Sequence, residues 1–118
     1  MNNLTRIFKA LADPTRLGML RALGTQTLCV GALAHRLGVT HSAVSQHLRI
    51  LREAGLVEGN RRGYWVHYSL DRREVRKIQE RIGKWLEGLS AVPASECTDT
   101  RKCPRPDESR LGKFAARR

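Results

Sequence analysis

Acidic residues are scarce in this chain: 11 Asp and Glu stand against 22 Lys and Arg in 118 residues, a formal net charge of +11. That imbalance favours an anionic partner such as nucleic acid or a membrane surface, although charge of this kind also serves solubility. Long apolar runs are missing too. None approaches the roughly 18–20 residues of a transmembrane helix, and the opening Met1-Asn2-Asn3-Leu4 carries neither the basic nor the apolar region of a secretory leader. These absences lead us to expect a cytoplasmic protein with no membrane partner. Cysteine is limited to Cys29, Cys97 and Cys103. In a reducing compartment such thiols read as ligands, sensors or passive residues rather than a disulfide framework. There is no Gly-rich phosphate loop, and His35, His41, His47 and His67 are scattered without catalytic spacing to a Cys or an acid. An enzyme is not expected.

What is present is helical periodicity up to about Pro93. Beyond it, Ala94 to Arg118 is rich in Ser, Asp, Arg and Pro with little to bury. We therefore expect one domain over 1–92 and a largely irregular basic tail, 93–118, carrying a cysteine pair. Leu4, Ile7, Phe8 and Leu11 sit at helical spacing. Asp13 and Pro14 then start a second helix, with Leu17, Leu20 and Leu23 expected inward. A third helix is predicted from Leu28 to Leu37, with Val30, Leu33, Ala34 and Leu37 on one face and Gly38 as its stop. Thr40 caps a fourth helix from His41 to Ala54, stopped by Gly55. The short Gly38-Val39-Thr40 connection is that of a helix-turn-helix. Leu56-Val57-Glu58, a polar turn over Gly59 to Gly63 and a return strand from Tyr64 to Leu70 read as a hairpin, or wing. Asp71 caps a last helix with Val75, Ile78, Ile82, Trp85, Leu86 and Leu89 in one stripe. The expected fold is mainly α with a small β-hairpin, a winged helix-turn-helix in the order α-α-α-α-β-β-α.

In the fourth helix Val44, Leu48 and Leu51 share one face, leaving Ser42, Ser45, Gln46 and Arg49 on the other. Gln pairs bidentately with adenine and Arg with guanine, and Ser reaches base edges or phosphates, so this face suits the major groove. His41 lies in the first turn, where free backbone N–H groups attract phosphate. Arg61 and Arg62, at the expected hairpin tip, can enter the minor groove or meet phosphates. Trp65 faces outward and could instead pack on the last helix. His47 turns toward the core side and reads as a packed, hydrogen-bonded residue. A winged helix used only for protein contacts is the alternative, but it would not need Arg49, Arg61 and Arg62 together.

The stretches FKALADPTRLGMLRAL, LAHRLGVTHSAVSQHLRILREAGLV and RRGYWVHYSL resemble the ArsR/SmtB family of metal-responsive repressors. The resemblance runs from Phe8 to about Leu70. It implies a homodimer built from the first and last helices (Leu4, Ile7, Phe8; Ile78, Ile82, Trp85, Leu86, Leu89) on a palindromic operator, released by an inducer. The apolar stripe from Ile78 to Leu89, longer than so small a domain can bury alone, agrees with a second copy. The family's thiolate motif resembles Leu-Cys-Val-Cys, whereas this chain has Leu28-Cys29-Val30-Gly31. Its zinc site on the last helix uses His, and Arg72 to Leu89 contains none.

The candidate metal ligands are therefore Cys97 and Cys103 in the tail, with Cys29 as a possible third. Arg101 and Lys102 beside the pair favour the thiolate form. Soft thiolates select As(III), Sb(III), Cu(I), Cd(II) or Zn(II). Three readings compete: As(III) or another soft metal(loid) ion as inducer, a redox or persulfide switch of Cys97 and Cys103, and idle tail thiols with Cys29 as a small core hydrophobe. No cofactor is needed for the fold.

Overall fold

The computed structural model describes residues 3–96 together with Thr98 and Arg101. Five helices and a three-stranded sheet follow one another as α1 (Leu4–Leu11), α2 (Pro14–Leu23), β1 (Leu28–Cys29), α3 (Val30–Leu37), α4 (His41–Glu53), β2 (Val57–Arg62), β3 (Trp65–Leu70) and α5 (Arg72–Ala91). Four helices begin where a side-chain oxygen takes up an otherwise orphaned backbone N–H. Asn3 Oδ1 accepts from Arg6 N at 2.8 Å and Asp13 Oδ2 from Arg16 N at 3.0 Å. Thr40 Oγ1 accepts from Ala43 N at 3.1 Å, and Asp71 Oδ1 from Glu74 N at 3.1 Å. The Asn3 cap was not anticipated; the other three were.

Two boundaries differ from expectation. Leu28 and Cys29 do not open α3 but form a short strand at the edge of the wing, Leu28 opposite Tyr68 and Cys29 opposite His67. Their backbone bonds go to β3, whose paired residues lie 40 and 38 positions away in sequence, a partner that local periodicity does not reveal. The sheet order is β1-β3-β2, all antiparallel. The wing is also longer than read. Its strands pair from Val57↔Leu70 to Arg62↔Trp65, so the turn is only Gly63-Tyr64. Gly63 has φ +63°, as a two-residue hairpin loop with glycine first requires. Polar composition over Gly59 to Arg62 signalled a loop, but a ladder bonded through its backbone tolerates polar side chains on an exposed ribbon.

The core joins Ile7 and Ala10 of α1, Met19, Ala22 and Leu23 of α2, Leu33 and Ala34 of α3, and Val44, Leu48 and Leu51 of α4. Ala54, Leu56, Val57 and Ile78 complete it. Each large side chain buried here contributes about 1.5–3 kcal/mol. On α2 the buried face is set by Met19, with Ala22 and Leu23 three and four residues on, so Leu17, expected inward, is exposed. No described residue of the core is polar or charged. Among the described residues no helix is long and apolar enough to cross a membrane.

Candidate nucleic-acid interface

The turn between α3 and α4 fixes how α4 is presented. Gly38 adopts the left-handed conformation, φ +66° and ψ +34°. Val39 N then donates to the Ala34 carbonyl oxygen at 3.1 Å, closing α3 before Thr40 opens α4. A β-carbon at Gly38 would meet nothing within 4 Å, so glycine is required there by conformation and not by crowding. Val44, Leu48 and Leu51 are at most 2% exposed and hold α4 by one face. His41, Ser42, Ser45, Gln46 and Arg49 all lie on exposed positions of the same helix. The structure thus brings all five predicted α4 residues onto one solvent-facing element.

Arg49 already has a partner there. Its Nε donates to Glu53 Oε1 at 3.3 Å, and Glu53 Oε2 lies 3.8 Å from Arg6 Nη2 of α1. Arg61 and Arg62 are exposed at the far end of β2, next to the turn. Trp65 pairs with Arg62 across the hairpin and is 65% exposed. Tyr64, in the turn itself, is almost fully exposed, a residue the sequence reading left without a role.

His47 is hydrogen-bonded, as expected. Its Nδ1 lies 3.2 Å from Arg16 Nη1 and 4.0 Å from Asp13 Oδ2. The backbone N–H of Arg16 holds the Asp13 carboxyl below its ordinary value of 3.8, and the nearby Arg16 and His47 charges act in the same direction.

The candidate ligand residues are only partly in view. Cys29 is half-buried, with a free thiol, and stands across the strand pair from His67, whose Nδ1 is buried without a hydrogen-bond partner. Cys97 and Cys103 lie outside the described residues. Among the described residues no group of three or more His, Cys, Asp or Glu is placed to hold a metal ion. At Gly31, where the family motif has its second cysteine, a β-carbon would sit 3.4 Å from His41 Cε1. The start of α3 therefore lies against the first turn of α4.

The candidate dimer residues divide. Ile7 and Ile78 are 0% and 7% exposed and belong to the core of the single chain, so they present little to a second copy. Leu4 and Ile82 are partly buried against that core. Phe8, Trp85, Leu86 and Leu89 remain exposed. The rings of Phe8 and Trp85 meet in a tilted contact, 5.8 Å between centroids with 57° between planes, joining α1 to α5. Beside them an open apolar groove of about 410 Å³ is lined by Leu11, Leu20, Leu56, Leu70, Val75 and Ile82, among others.

Comparison with known proteins agrees with this architecture. The sequence model of the family described as "Bacterial regulatory protein, arsR family" matches residues 13–59. A regulator from Mycobacterium tuberculosis, "HTH-type transcriptional regulator CmtR", is 48% identical over 93 residues, covering 79% of this chain and 76% of its own. The "Arsenic resistance transcriptional regulator ArsR1" of Pseudomonas putida is 43% identical over 84 residues, 70% of this chain and 59% of that protein. The "Transcriptional repressor SmtB homolog" of Synechocystis is also 43% identical over 84 residues, and there the chain spans 64% of the relative's length. Among solved structures, an ArsR-like transcriptional regulator from Rhodococcus superposes with a TM-score of 0.64 at 37% identity, covering 75% of this chain and 87% of that one. A Mycobacterium bovis domain described as a homodimeric winged helix-turn-helix DNA-binding domain gives 0.59 at 28% identity, covering 79% and 87%. The fold is a winged helix-turn-helix, and the chain belongs to the ArsR family of bacterial regulatory proteins.

Proposed function

We propose that the chain is a dimeric transcriptional repressor that reads duplex DNA with α4 and steadies itself with the wing. The observation that carries this reading is the division of α4: Val44, Leu48 and Leu51 are buried while His41, Ser42, Ser45, Gln46 and Arg49 face solvent. Gln46 and Arg49 supply the bidentate chemistry of base recognition, Ser42 and Ser45 shorter polar contacts, and His41 a phosphate contact at the helix start. Arg61 and Arg62 on the wing supply further phosphate or minor-groove contacts. The exposed Phe8, Trp85, Leu86 and Leu89 support a second copy docked on α1 and α5. Two α4 helices would then meet successive major grooves, one DNA turn apart.

The inducer in this reading is As(III) or another thiophilic ion held by Cys97 and Cys103, with or without Cys29 as a third thiolate. What supports it is the soft-ligand chemistry of three cysteines and the naming of relatives for arsenic resistance. Binding releases DNA only if the ion prefers the dimer geometry that misaligns the two helices.

The test has two steps. The full-length chain is first used to select its preferred site from a random duplex library, and binding to that duplex is titrated with salt. A steep salt dependence and a sequence preference are expected; no preference for any duplex sinks the proposal. Release is then measured with arsenite, antimonite, cadmium, zinc and persulfide on wild type and on Cys29→Ser, Cys97→Ser and Cys103→Ser. Loss of arsenite release in the Cys97 and Cys103 variants is expected. Release by persulfide alone moves the assignment to redox sensing, and intact release in all three variants rejects both.

A further inference from the structure

The apolar contacts of Val44, Leu48 and Leu51 hold α4 against the domain, but such contacts are not directional. A second set of contacts is. The guanidinium of Arg16 on α2 donates from Nε to the Ala10 carbonyl oxygen at 2.6 Å and from Nη2 to the Lys9 carbonyl oxygen at 3.0 Å. Both carbonyls belong to the last turn of α1, where a cation is favoured, and the Lys9 oxygen also accepts from the capping Ala12 N at 3.3 Å. The third arm, Nη1, reaches His47 Nδ1 on α4 at 3.2 Å. The same residue's backbone N–H is held by Asp13, the cap of α2, so its position is fixed at both ends. One planar side chain thus bridges three helices.

We propose that Arg16 is the positioning residue of α4, a clip that sets the rotation of the DNA-reading helix against α1. The inference rests on the proposal that α4 reads DNA. His47 is well placed to transmit it: it stands between exposed Gln46 and buried Leu48, within two positions of Ser45 and Arg49. Successive residues on a helix are about 100° apart, so a small rotation moves Gln46 and Arg49 out of bidentate register with base edges. The other link between the two helices, Arg6 to Glu53 at 3.8 Å, joins two half-exposed side chains and is too weak to fix an angle. Because α1 carries Phe8, whose ring meets Trp85 of α5 in a tilted contact, the clip also places α4 in register with the surface proposed to bind a second copy.

The test compares His47→Leu, His47→Asn and Arg16→Lys with wild type on the library-selected duplex and on a scrambled duplex. All are measured below the melting temperature of each variant, with circular dichroism as the control for folding. Leucine removes the acceptor. Asparagine restores an oxygen close to the position of Nδ1. Lysine keeps the charge but cannot bridge carbonyls and imidazole at once. We expect His47→Leu and Arg16→Lys to lose roughly tenfold in affinity for the selected duplex. Binding to the scrambled duplex, which needs only charge, should change by less than about twofold. His47→Asn should recover most of the loss. Equal losses on both duplexes, or His47→Asn as weak as His47→Leu, would show that these residues serve stability alone. If wild type itself fails to distinguish the duplexes, the DNA-reading proposal falls; if all three variants discriminate as wild type does, only the clip falls.

Discussion

Replacing Gly38 by alanine isolates the conformational requirement of the helix-turn-helix. At φ +66° with no atom within 4 Å of a built β-carbon, the substitution adds strain without a clash. Placing an L-residue in the left-handed region costs about 1–2 kcal/mol. Alanine also restricts the unfolded chain, which offsets roughly 0.4–1 kcal/mol of that cost. The net destabilisation is therefore about 1 kcal/mol, equivalent to a fall in Tm of roughly 4–8 °C for a domain of this size. Thermal unfolding followed by circular dichroism measures it directly. Gly38→Asn should lose less, since Asn tolerates this region better than alanine. Gly63, at φ +63° and equally open, is the internal control. Gly63→Ala should cost a similar amount of stability while leaving the α3–α4 turn intact. A Gly38→Ala protein with unchanged or raised Tm would refute the argument that glycine is there for its backbone freedom.

Other perturbations follow from the same contacts. Glu53→Gln should free Arg49 and remove a negative charge from the α4 face, strengthening duplex binding by about two- to fivefold while changing stability by less than about 1 kcal/mol; weaker binding would mean that Glu53 orients Arg49 for DNA. Asp13 has its pKa lowered in the fold, so its stabilising contribution is fully present above the ordinary value of 3.8 and disappears as pH falls through the folded value. Melting curves of Asp13→Asn and wild type should accordingly differ at neutral pH and converge in acid. Leu48→Ala, emptying a site only 2% exposed, should cost about 2–5 kcal/mol, read by urea denaturation. Leu86→Glu and Leu89→Glu, both on exposed positions, should leave the protomer folded and shift sedimentation toward monomer; an unchanged dimer would place the contact elsewhere.

Much of the fold was legible because its signals are local. Asp13-Pro14, Thr40 and Asp71 announce helix starts through side chains that reach only three residues ahead, and Gly38 marks a stop that few other residues can adopt. The α4 face followed from the spacing of Val44, Leu48 and Leu51 alone. What escaped was non-local. The strand at Leu28–Cys29 exists because β3 offers it a ladder. The Arg16–His47 contact spans 31 positions, although the isolated His47 had already pointed to a hydrogen-bonded role. Ile7 and Ile78 lie on the same apolar stripes as Phe8 and Trp85, and periodicity cannot tell the residue that meets its own core from the one that faces outward. The α5 stripe illustrates the point: only Ile78 is buried, while Trp85, Leu86 and Leu89 are not.

The central claim is that the exposed face of α4 reads bases. Fluorescence anisotropy of the library-selected duplex, against variants of it changed one base pair at a time, tests this most directly when Gln46→Ala is compared with wild type. The account predicts that Gln46→Ala loses about 1–3 kcal/mol of discrimination at one base pair while its preference at the others persists. Identical base preferences in the variant and in wild type, at every position, would contradict it.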